Sequence, residues 1–178
     1  KEHWAHGNIT FLAAREVING KSAGKFDPDG QVSRAEFVQI LAKLSGEKLN
    51  KYATSKFGDV DENSWYSAAV AWAAANGIVS GVGKDEFAPN AAISRQDMAV
   101  IIERYLNYKG EALKAKNKEV SFGDSVKIAG YAKSAVASMQ RAGVINGLRS
   151  SDGIAKFKPE ANATRAEAAT MICNYLKN

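Results

Sequence analysis

The sequence predicts an all-α fold built from three copies of one unit, each with two helices joined by a glycine-containing loop. All three prolines of the 178-residue chain stand in the same frame, as the last residue of Phe-x-Pro, at Pro28, Pro89 and Pro159. An arginine follows each proline by six residues, and an aromatic residue stands 16 positions before each loop glycine. Since unrelated segments do not share so many fixed spacings, the chain is a triplicated unit.

The three repeats are assigned to residues 1–46, 57–108 and 122–178, and polar connectors at 47–56 and 109–121 separate them. One helical hairpin of about 45 residues cannot bury its apolar faces alone. We therefore expect the three repeats to close on one another and to form one compact unit.

Each repeat opens with a predicted helix, because apolar residues recur at spacings of three to five positions from the aromatic residue onwards. Gly77 and Gly143 follow this helix in the second and third repeats, and glycine commonly ends a helix in the left-handed conformation. The first repeat has Glu16 at this position, so the end of its first helix is less well defined. Segments that begin Phe-Gly-Asp, at 57–60 and 122–125, are expected to be extended lead-ins.

The second helix of each repeat begins with a capping box, at 33–36, 94–97 or 164–167. The Ser or Thr hydroxyl accepts a hydrogen bond from a first-turn N–H, and the acid three residues later reaches back to the cap N–H. Such a cap contributes about 0.5–2 kcal/mol to stability. Asp97 is shorter than the Glu of the other repeats, so we expect a weaker reciprocal bond in the second repeat.

An arginine follows the capping residue in every repeat, at Arg34, Arg95 and Arg165. A cation in the first turn of a helix is disfavoured by about 0.3–1 kcal/mol, so capping does not explain it. A guanidinium beside the free first-turn N–H groups favours a site for an anion, and it matches a carboxylate with two hydrogen bonds. The alternative is an ion pair with a neighbouring aspartate such as Asp59 or Asp124.

The loops and the aromatic residues are the other candidates for a site that takes a sugar acid. A glycine lets the backbone approach a ligand closely, and an aromatic ring offers a flat apolar face to a pyranose. The alternative for each aromatic residue is a place in the core. These candidate residues are Trp4, Asn19, Gly20, Trp65, Ser80, Gly81, Tyr131, Asn146 and Gly147.

The order of these motifs resembles that of the S-layer homology family. The family pattern of Trp-Ala, Phe-x-Asp-Val, Gly-Ile-Val-x-Gly and Thr-Arg-Ala-Glu is matched at 4–5, 57–60, 77–81 and 164–167, with variants in the other copies. The resemblance covers nearly the whole chain. It implies a pseudo-threefold assembly of three repeats around a central helical bundle, with grooves between adjacent lobes.

The resemblance also implies a function at the bacterial cell surface. Such modules bind a secondary cell wall polymer, a peptidoglycan-linked polysaccharide, commonly through pyruvylated N-acetylmannosamine. The three arginines would meet the ketal carboxylate, and the loop residues and aromatic rings would line the sugar. Because the chain begins at Lys1 without a Met, it reads as part of a larger surface protein or exoenzyme.

Departures from the family pattern predict two functional grooves rather than three. The third repeat has Tyr131 in place of Trp and four extra residues in its loop, which alters a groove built from that loop. The second repeat has Ser80 in place of Asn and Asp97 in place of Glu. Several weak sites on one polymer still gain by effective concentration.

The composition excludes several function classes. The single Cys173 rules out an internal disulfide, and His3 and His6 have no Cys or carboxylate at metal spacing, so no metal or other cofactor is predicted. A calcium loop at 25–36 would have Lys25 as its first ligand, which cannot coordinate a cation. With neither a nucleophile elbow nor a phosphate-binding loop, the chain is not predicted to be an enzyme.

The net charge of +5, from 24 Lys and Arg against 19 Asp and Glu, fits an anionic partner. The lysines concentrate in the connectors and both signs of charge mix throughout, so we predict no nucleic-acid binding. No apolar run approaches roughly 18 residues, which predicts no membrane insertion. The first alternative function is a structural protein–protein module of a surface lattice, which leaves the repeated arginines unexplained. The second and less favoured alternative is a basic nucleic-acid-binding protein.

Overall fold

The computed structural model describes residues 2–22, 24–148, 151 and 153–178. Within these residues the fold is all-α, as predicted, and the only β pairing is isolated bridges. Three short 3-10 helices lie at Leu49–Lys51, Ser125–Lys127 and Gly130–Ala132. The α-helices are α1 (His6–Ala13), α2 (Arg34–Ser45), α3 (Ser67–Ala75), α4 (Arg95–Lys109), α5 (Lys133–Arg141) and α6 (Arg165–Leu176). In the described part of the chain, none of them has the length and apolarity to span a membrane.

The helices pair across repeats. Helix α3 packs on α2, α5 packs on α4, and α1 packs on α6. The first helix of the second and of the third repeat therefore lies against the second helix of the repeat before it. In the first repeat, the first helix lies against the second helix of the third repeat, so the order is cyclic. This pairing closes the three repeats on one another, because no repeat keeps its two helices as an independent hairpin.

A closed ring of backbone hydrogen bonds joins the segments that lead into α2, α4 and α6. The Val32 N–H donates to the Ala163 carbonyl at 3.1 Å, the Ala163 N–H to the Ile93 carbonyl at 2.9 Å, and the Ile93 N–H to the Val32 carbonyl at 3.1 Å. All three residues are fully buried. The repeats thus meet in a cyclic order, and the pseudo-threefold arrangement around a central bundle stays a prediction.

One apolar core runs through all three repeats. The second helices contribute Phe37, Met98 and Ala168 from equivalent positions, and all three are fully buried. Trp72 and Tyr105 are the largest buried side chains, with their ring centroids 6.4 Å apart in an edge-to-face arrangement. This shared core holds the loops and second helices that form the candidate site.

A residue in the left-handed conformation follows the first helix of each repeat, as predicted from the glycines of the second and third repeats. Gly77 has φ 70° and Gly143 has φ 73°. Glu16, at the same position of the first repeat, also adopts a positive φ, of 58°. A side chain there costs about 1–2 kcal/mol relative to glycine, so the first repeat keeps this stop under strain.

The lead-ins differ from the prediction, because they are turns rather than extended segments. Residues 57–60 form a turn, and Ser125 begins the 3-10 helix Ser125–Lys127. The turn aims the Asp59 carboxylate at the Phe-x-Pro segment of its own repeat, where it accepts the N–H groups of Phe87 and Ala88 at 2.9 and 2.7 Å. Asp124 does the same in the third repeat. These two carboxylates therefore satisfy backbone donors and do not pair with the repeated arginines.

Candidate functional site

Two cavities bring the candidate residues together, each with contributions from all three repeats. Groove one has a volume of about 700 Å³, and its lining includes Asn19, Gly20, Glu36, Gln39, Lys43, Trp65 and Arg165. Groove two has a volume of about 360 Å³, and its lining includes Arg34, Ser80, Gly81, Asp97, Val100, Arg104 and Tyr131. In both grooves the loop and the second helix come from one repeat, the arginine from the preceding repeat and the aromatic residue from the following one.

The corresponding residues of the third repeat's loop are Asn146 and Gly147, and Arg95 reaches toward that repeat from the second. Trp4 is 64% exposed, and its ring centroid lies 5.3 Å from that of His3. The extra residues of this loop include positions 149, 150 and 152, which lie outside the described residues. Tyr131 lines groove two rather than a groove built from its own repeat's loop, so its replacement of Trp alters groove two.

The three aromatic residues are on the surface and not in the core. Trp4 and Trp65 are both 64% exposed, and Tyr131 is 60% exposed. Each precedes the first α-helix of its repeat by two residues, so it is not part of the apolar face of that helix. The ring faces of Trp65 and Tyr131 therefore stand at the rims of grooves one and two.

Each arginine forms a hydrogen bond from its Nε atom to the next repeat. The acceptor is the phenylalanine carbonyl of the neighbouring Phe-x-Pro segment, and the guanidinium also lies over that phenylalanine ring. The Nε–O distances are 2.8 Å for Arg34 and Phe87, 2.7 Å for Arg95 and Phe157, and 3.0 Å for Arg165 and Phe26. The guanidinium-to-ring distances for the same pairs are 4.9, 5.4 and 4.6 Å. Each arginine therefore keeps only its two Nη groups for other partners.

The first-turn N–H groups are occupied, which corrects the expectation that they are free for an anion. The Arg34 N–H donates to the Ala91 carbonyl at 2.9 Å, and the Ala35 N–H donates to the Pro89 carbonyl at 3.0 Å. The third donor, the Glu36 N–H, binds the capping hydroxyl. Equivalent bonds occur at the starts of α4 and α6, because each helix begins against the proline turn of a neighbouring repeat. The donors that remain open to an anion in the grooves are therefore side chains rather than these backbone N–H groups.

Two of the three arginines are paired with the acid of a neighbouring capping box. Arg165 donates from Nη1 to Glu36 at 3.1 Å and from Nη2 to the Asn19 carbonyl at 2.6 Å. Arg95 pairs in the same way with Glu167. The other oxygen of Glu36 accepts the Ser33 N–H at 2.9 Å, so one carboxylate completes both a helix cap and an ion pair between repeats.

The second repeat departs from this pattern at Asp97. The Ser94 hydroxyl accepts the Asp97 N–H at 3.1 Å, but α4 lacks the reciprocal bond from the acid, as its shorter side chain predicted. Asp97 instead accepts a hydrogen bond from the Tyr131 hydroxyl at 2.8 Å. In the described residues the Nη groups of Arg34 have no hydrogen bond or ion pair, although Arg34 is only 6% exposed. Burial lowers the pKa of Arg34, and the nearby charge of Asp97 opposes this shift.

The loop glycines are required by the packing of the loops themselves. A Cβ atom on Gly81 or Gly147 would lie 2.7 Å from the ring of the lead-in phenylalanine, Phe57 or Phe122, and both glycines have positive φ. A Cβ on Gly20 would lie 2.8 Å from the Lys25 carbonyl oxygen. Small residues here keep the loop tight against the lead-in and leave its outer face toward the groove.

Several groove residues were missed from the sequence, all on the second helices. Arg104 donates to the Ser80 hydroxyl at 3.2 Å, and Lys43 occupies the equivalent position in groove one. The sequence did contain a signal for these two residues, since a basic residue follows the repeated arginine by nine positions in the first two repeats. The third repeat has Asn174 at this position. Gln39 lines groove one, and its Oε1 atom is buried with no hydrogen-bond partner in the described part of the chain. Among the described residues, no three His, Cys, Asp or Glu side chains group to hold a metal ion.

Comparison with known proteins gives matches along nearly the whole chain. The family model described as S-layer homology domain matches residues 1–38, 56–99 and 121–169. The exoglucanase XynX of Acetivibrio thermocellus is 36% identical over 181 residues, covering 99% of this chain and 16% of that protein. The amylopullulanase of Thermoanaerobacterium thermosulfurigenes is 34% identical, covering 99% of this chain and 9% of that protein.

A third relative is named for the cell surface. The surface-layer 125 kDa protein of Lysinibacillus sphaericus is 31% identical over 175 residues, covering 98% of this chain and 14% of that protein. The chain thus spans less than a fifth of the length of each of these three relatives.

Proposed function

This chain belongs to the S-layer homology domain family, and from that membership we propose that it binds a secondary cell wall polysaccharide in its inter-repeat grooves. Membership of the family puts the chain at the bacterial cell surface, in a role of attachment to the wall. The binding is non-covalent, and it holds the rest of a larger surface protein or exoenzyme in place.

The single observation that carries this proposal is the composition of the two grooves. Each combines an arginine, a glycine loop and an exposed aromatic ring, contributed by three different repeats. An aromatic rim and an adjacent loop backbone suit a pyranose ring, and a guanidinium suits an acidic substituent. A ligand in either groove touches all three repeats, so binding also stabilises the closed assembly.

The ligand we propose is pyruvylated N-acetylmannosamine, whose ketal carboxylate is recognised by a groove arginine. A carboxylate accepts two parallel N–H bonds from a guanidinium, a geometry that a lysine does not provide. The sugar ring then lies between the loop and the aromatic residue of the following repeat. The acetamido group and hydroxyls supply the donors and acceptors for loop residues such as Asn19 and Ser80.

We assign no catalysis to this segment, and any reaction of a parent protein would belong to its other parts. The segment shared with this chain occurs in an exoglucanase, an amylopullulanase and a surface-layer protein, whose names have no reaction in common. An anchoring role for the shared segment accounts for its presence in all three.

Sedimentation with purified cell walls tests the proposal. We expect the chain to pellet with walls that keep their secondary polymer and to stay in solution with walls stripped of it. A double change, Trp65→Ala with Tyr131→Ala, removes both groove rims and should weaken retention at least about tenfold, since each ring contributes of the order of 1 kcal/mol.

Val126→Ala is the matched control, because Val126 is 90% exposed and lies outside both grooves. Circular dichroism spectra and melting temperatures confirm that the variants are folded. Equal retention on stripped and polymer-bearing walls would contradict the proposal. The chain would then bind peptidoglycan itself or a wall protein.

A further inference from the structure

The buried and unpaired guanidinium of Arg34 distinguishes groove two from its counterparts. Its Nε atom is used by the Phe87 carbonyl, but its Nη groups have no partner among the described residues. A guanidinium in a residue that is only 6% exposed is poorly hydrated, so its charge is costly when it has no fixed partner. Because Arg34 lines the groove, an anion entering groove two can remove this cost.

The equivalent charges elsewhere are already compensated inside the protein. Arg165 in groove one has both Nη groups engaged, by Glu36 and by the Asn19 carbonyl. Arg95 has the Glu167 carboxylate, whose side chain is only 18% exposed. A ligand carboxylate that approached either arginine would have to compete with a fixed glutamate for the Nη donors.

One methylene group accounts for the difference. Glu36 and Glu167 are long enough to bond the N-cap N–H with one oxygen and an arginine of the preceding repeat with the other. Asp97, at the same place in α4, makes neither bond. The Tyr131 hydroxyl holds Asp97 through a 2.8 Å hydrogen bond instead.

We propose that Asp97 makes groove two the carboxylate-specific site of the module, because its short side chain leaves Arg34 free for a ligand. Groove one then takes a neutral part of the same polymer, with Gln39 Oε1 as an acceptor for a ligand N–H or O–H. This assignment rests on the proposed function, and it adds that the grooves are chemically distinct. Asp97 acts as a specificity-determining residue through Arg34, without touching the ligand carboxylate itself.

Calorimetry with two probes tests the assignment. The probes are a pyruvylated wall-polymer fragment and the same fragment after the ketal has been hydrolysed. Ketal-dependent affinity is the ratio of the two association constants. Asp97→Glu should lower this ratio by about tenfold or more, the effect of losing a charge-assisted pair of hydrogen bonds. It should fold normally, because the other two repeats carry Glu at this position.

Two further variants serve as controls. Glu36→Asp makes the reverse change in groove one: it frees Nη1 of Arg165, while Nη2 stays bonded to the Asn19 carbonyl, and should therefore raise the ratio. Asp97→Asn keeps the length and an acceptor for Tyr131 and should keep or raise the ratio. If Asp97 contacted the ligand directly, Asn and Glu would both lower it, and the assignment would be wrong.

Amide chemical-shift mapping with the same probes separates this assignment from the proposed function. Ketal-dependent shifts at Ser80 and Gly81 support it. Ketal-dependent shifts at Asn19 and Gly20, with an unchanged ratio in Asp97→Glu, overturn it while leaving polymer binding established. No binding of either fragment to the unmodified chain overturns the proposed function and this assignment together.

Discussion

Groove one and groove two are built by the same rule from equivalent positions, yet they present different surfaces to a ligand. Groove one carries a neutralised arginine, a buried unpaired amide oxygen and a tryptophan rim. Groove two carries an unpaired arginine, a second arginine and a tyrosine rim, in about half the volume. Repeated motifs therefore fix the architecture of a site, while single substitutions at groove positions set its chemistry.

The largest expected difference between the grooves is in stability. Arg165→Ala removes an ion pair and two bonds to carbonyls and leaves Glu36 without its partner, so we expect a loss of about 2–3 kcal/mol. Arg34→Ala removes one bond and an unpaired buried charge, so we expect a loss of about 1 kcal/mol or less. Urea denaturation measures both. Arg141→Ala is the control, because its exposed pair with Glu119 contributes no more than about 1 kcal/mol. Equal losses of unfolding free energy in Arg34→Ala and Arg165→Ala would contradict the view that only Arg165 is paired inside the protein.

The amide of Gln39 offers a second contrast, since groove two has Val100 at this position. Gln39→Val removes a buried acceptor that lacks a partner, so we expect the free energy of unfolding to rise by about 1 kcal/mol. Affinity for the polymer fragment with hydrolysed ketal should fall about tenfold, because that acceptor is proposed to serve the ligand. Denaturation and calorimetry on one protein preparation give both values. A stabilised variant with unchanged affinity would assign Gln39 no part in binding.

Exchange of the capping acids should change stability in opposite directions. Asp97→Glu completes the capping box of α4 and pairs Arg34, for a gain of about 0.5–1 kcal/mol. Glu36→Asp breaks the box of α2 and should cost about as much. Thermal unfolding of the two variants and of the double variant checks the signs. A loss of stability in Asp97→Glu would mean that the Tyr131–Asp97 bond contributes more than the cap.

The smallest expected difference appears at high pH. Burial, together with the hydrogen bond to Asp97, raises the pKa of Tyr131 from 10.0 to about 12. The folded chain therefore holds this proton more tightly than the unfolded chain, and the associated stability is lost as the pH rises from about 10 to about 12. Phenolate absorbance should show one high-pH step fewer in Tyr131→Phe. Trp65→Phe in groove one should leave the titration unchanged. An unaltered titration in Tyr131→Phe would mean that the step belongs to another tyrosine.

The second helices could be predicted almost to the residue. Helices α2, α4 and α6 begin directly after Ser33, Ser94 and Thr164, as expected, because a capping box is local chemistry. The starts of the first helices were predicted less exactly. These helices begin two residues after the aromatic residue, and the aromatic residue faces solvent. Local periodicity does not reveal which residues a neighbouring repeat will cover.

The grooves could not be predicted in the same way. The sequence marked Arg34, Ser80 and Tyr131 as candidates, but their meeting depends on how three repeats pack together. The difference between Asp97 and the two glutamates was visible, and its effect on the cap was predicted. Its effect on Arg34 was not, because the contact crosses from one repeat to another.

The pairing of α1 with α6 has a consequence for the order of the chain. Asn8 in α1 contacts Thr170 and Cys173 in α6, so the first and third repeats are joined without a peptide bond between them. Covalent connectivity is therefore interchangeable among the repeat boundaries. We expect a circular permutant that joins the two ends of the chain through a linker and opens within the connector 47–56 to keep the three pairings α1–α6, α2–α3 and α4–α5. The position of the termini is thus a property of the order of the repeats along the chain, separable from the packing of the fold.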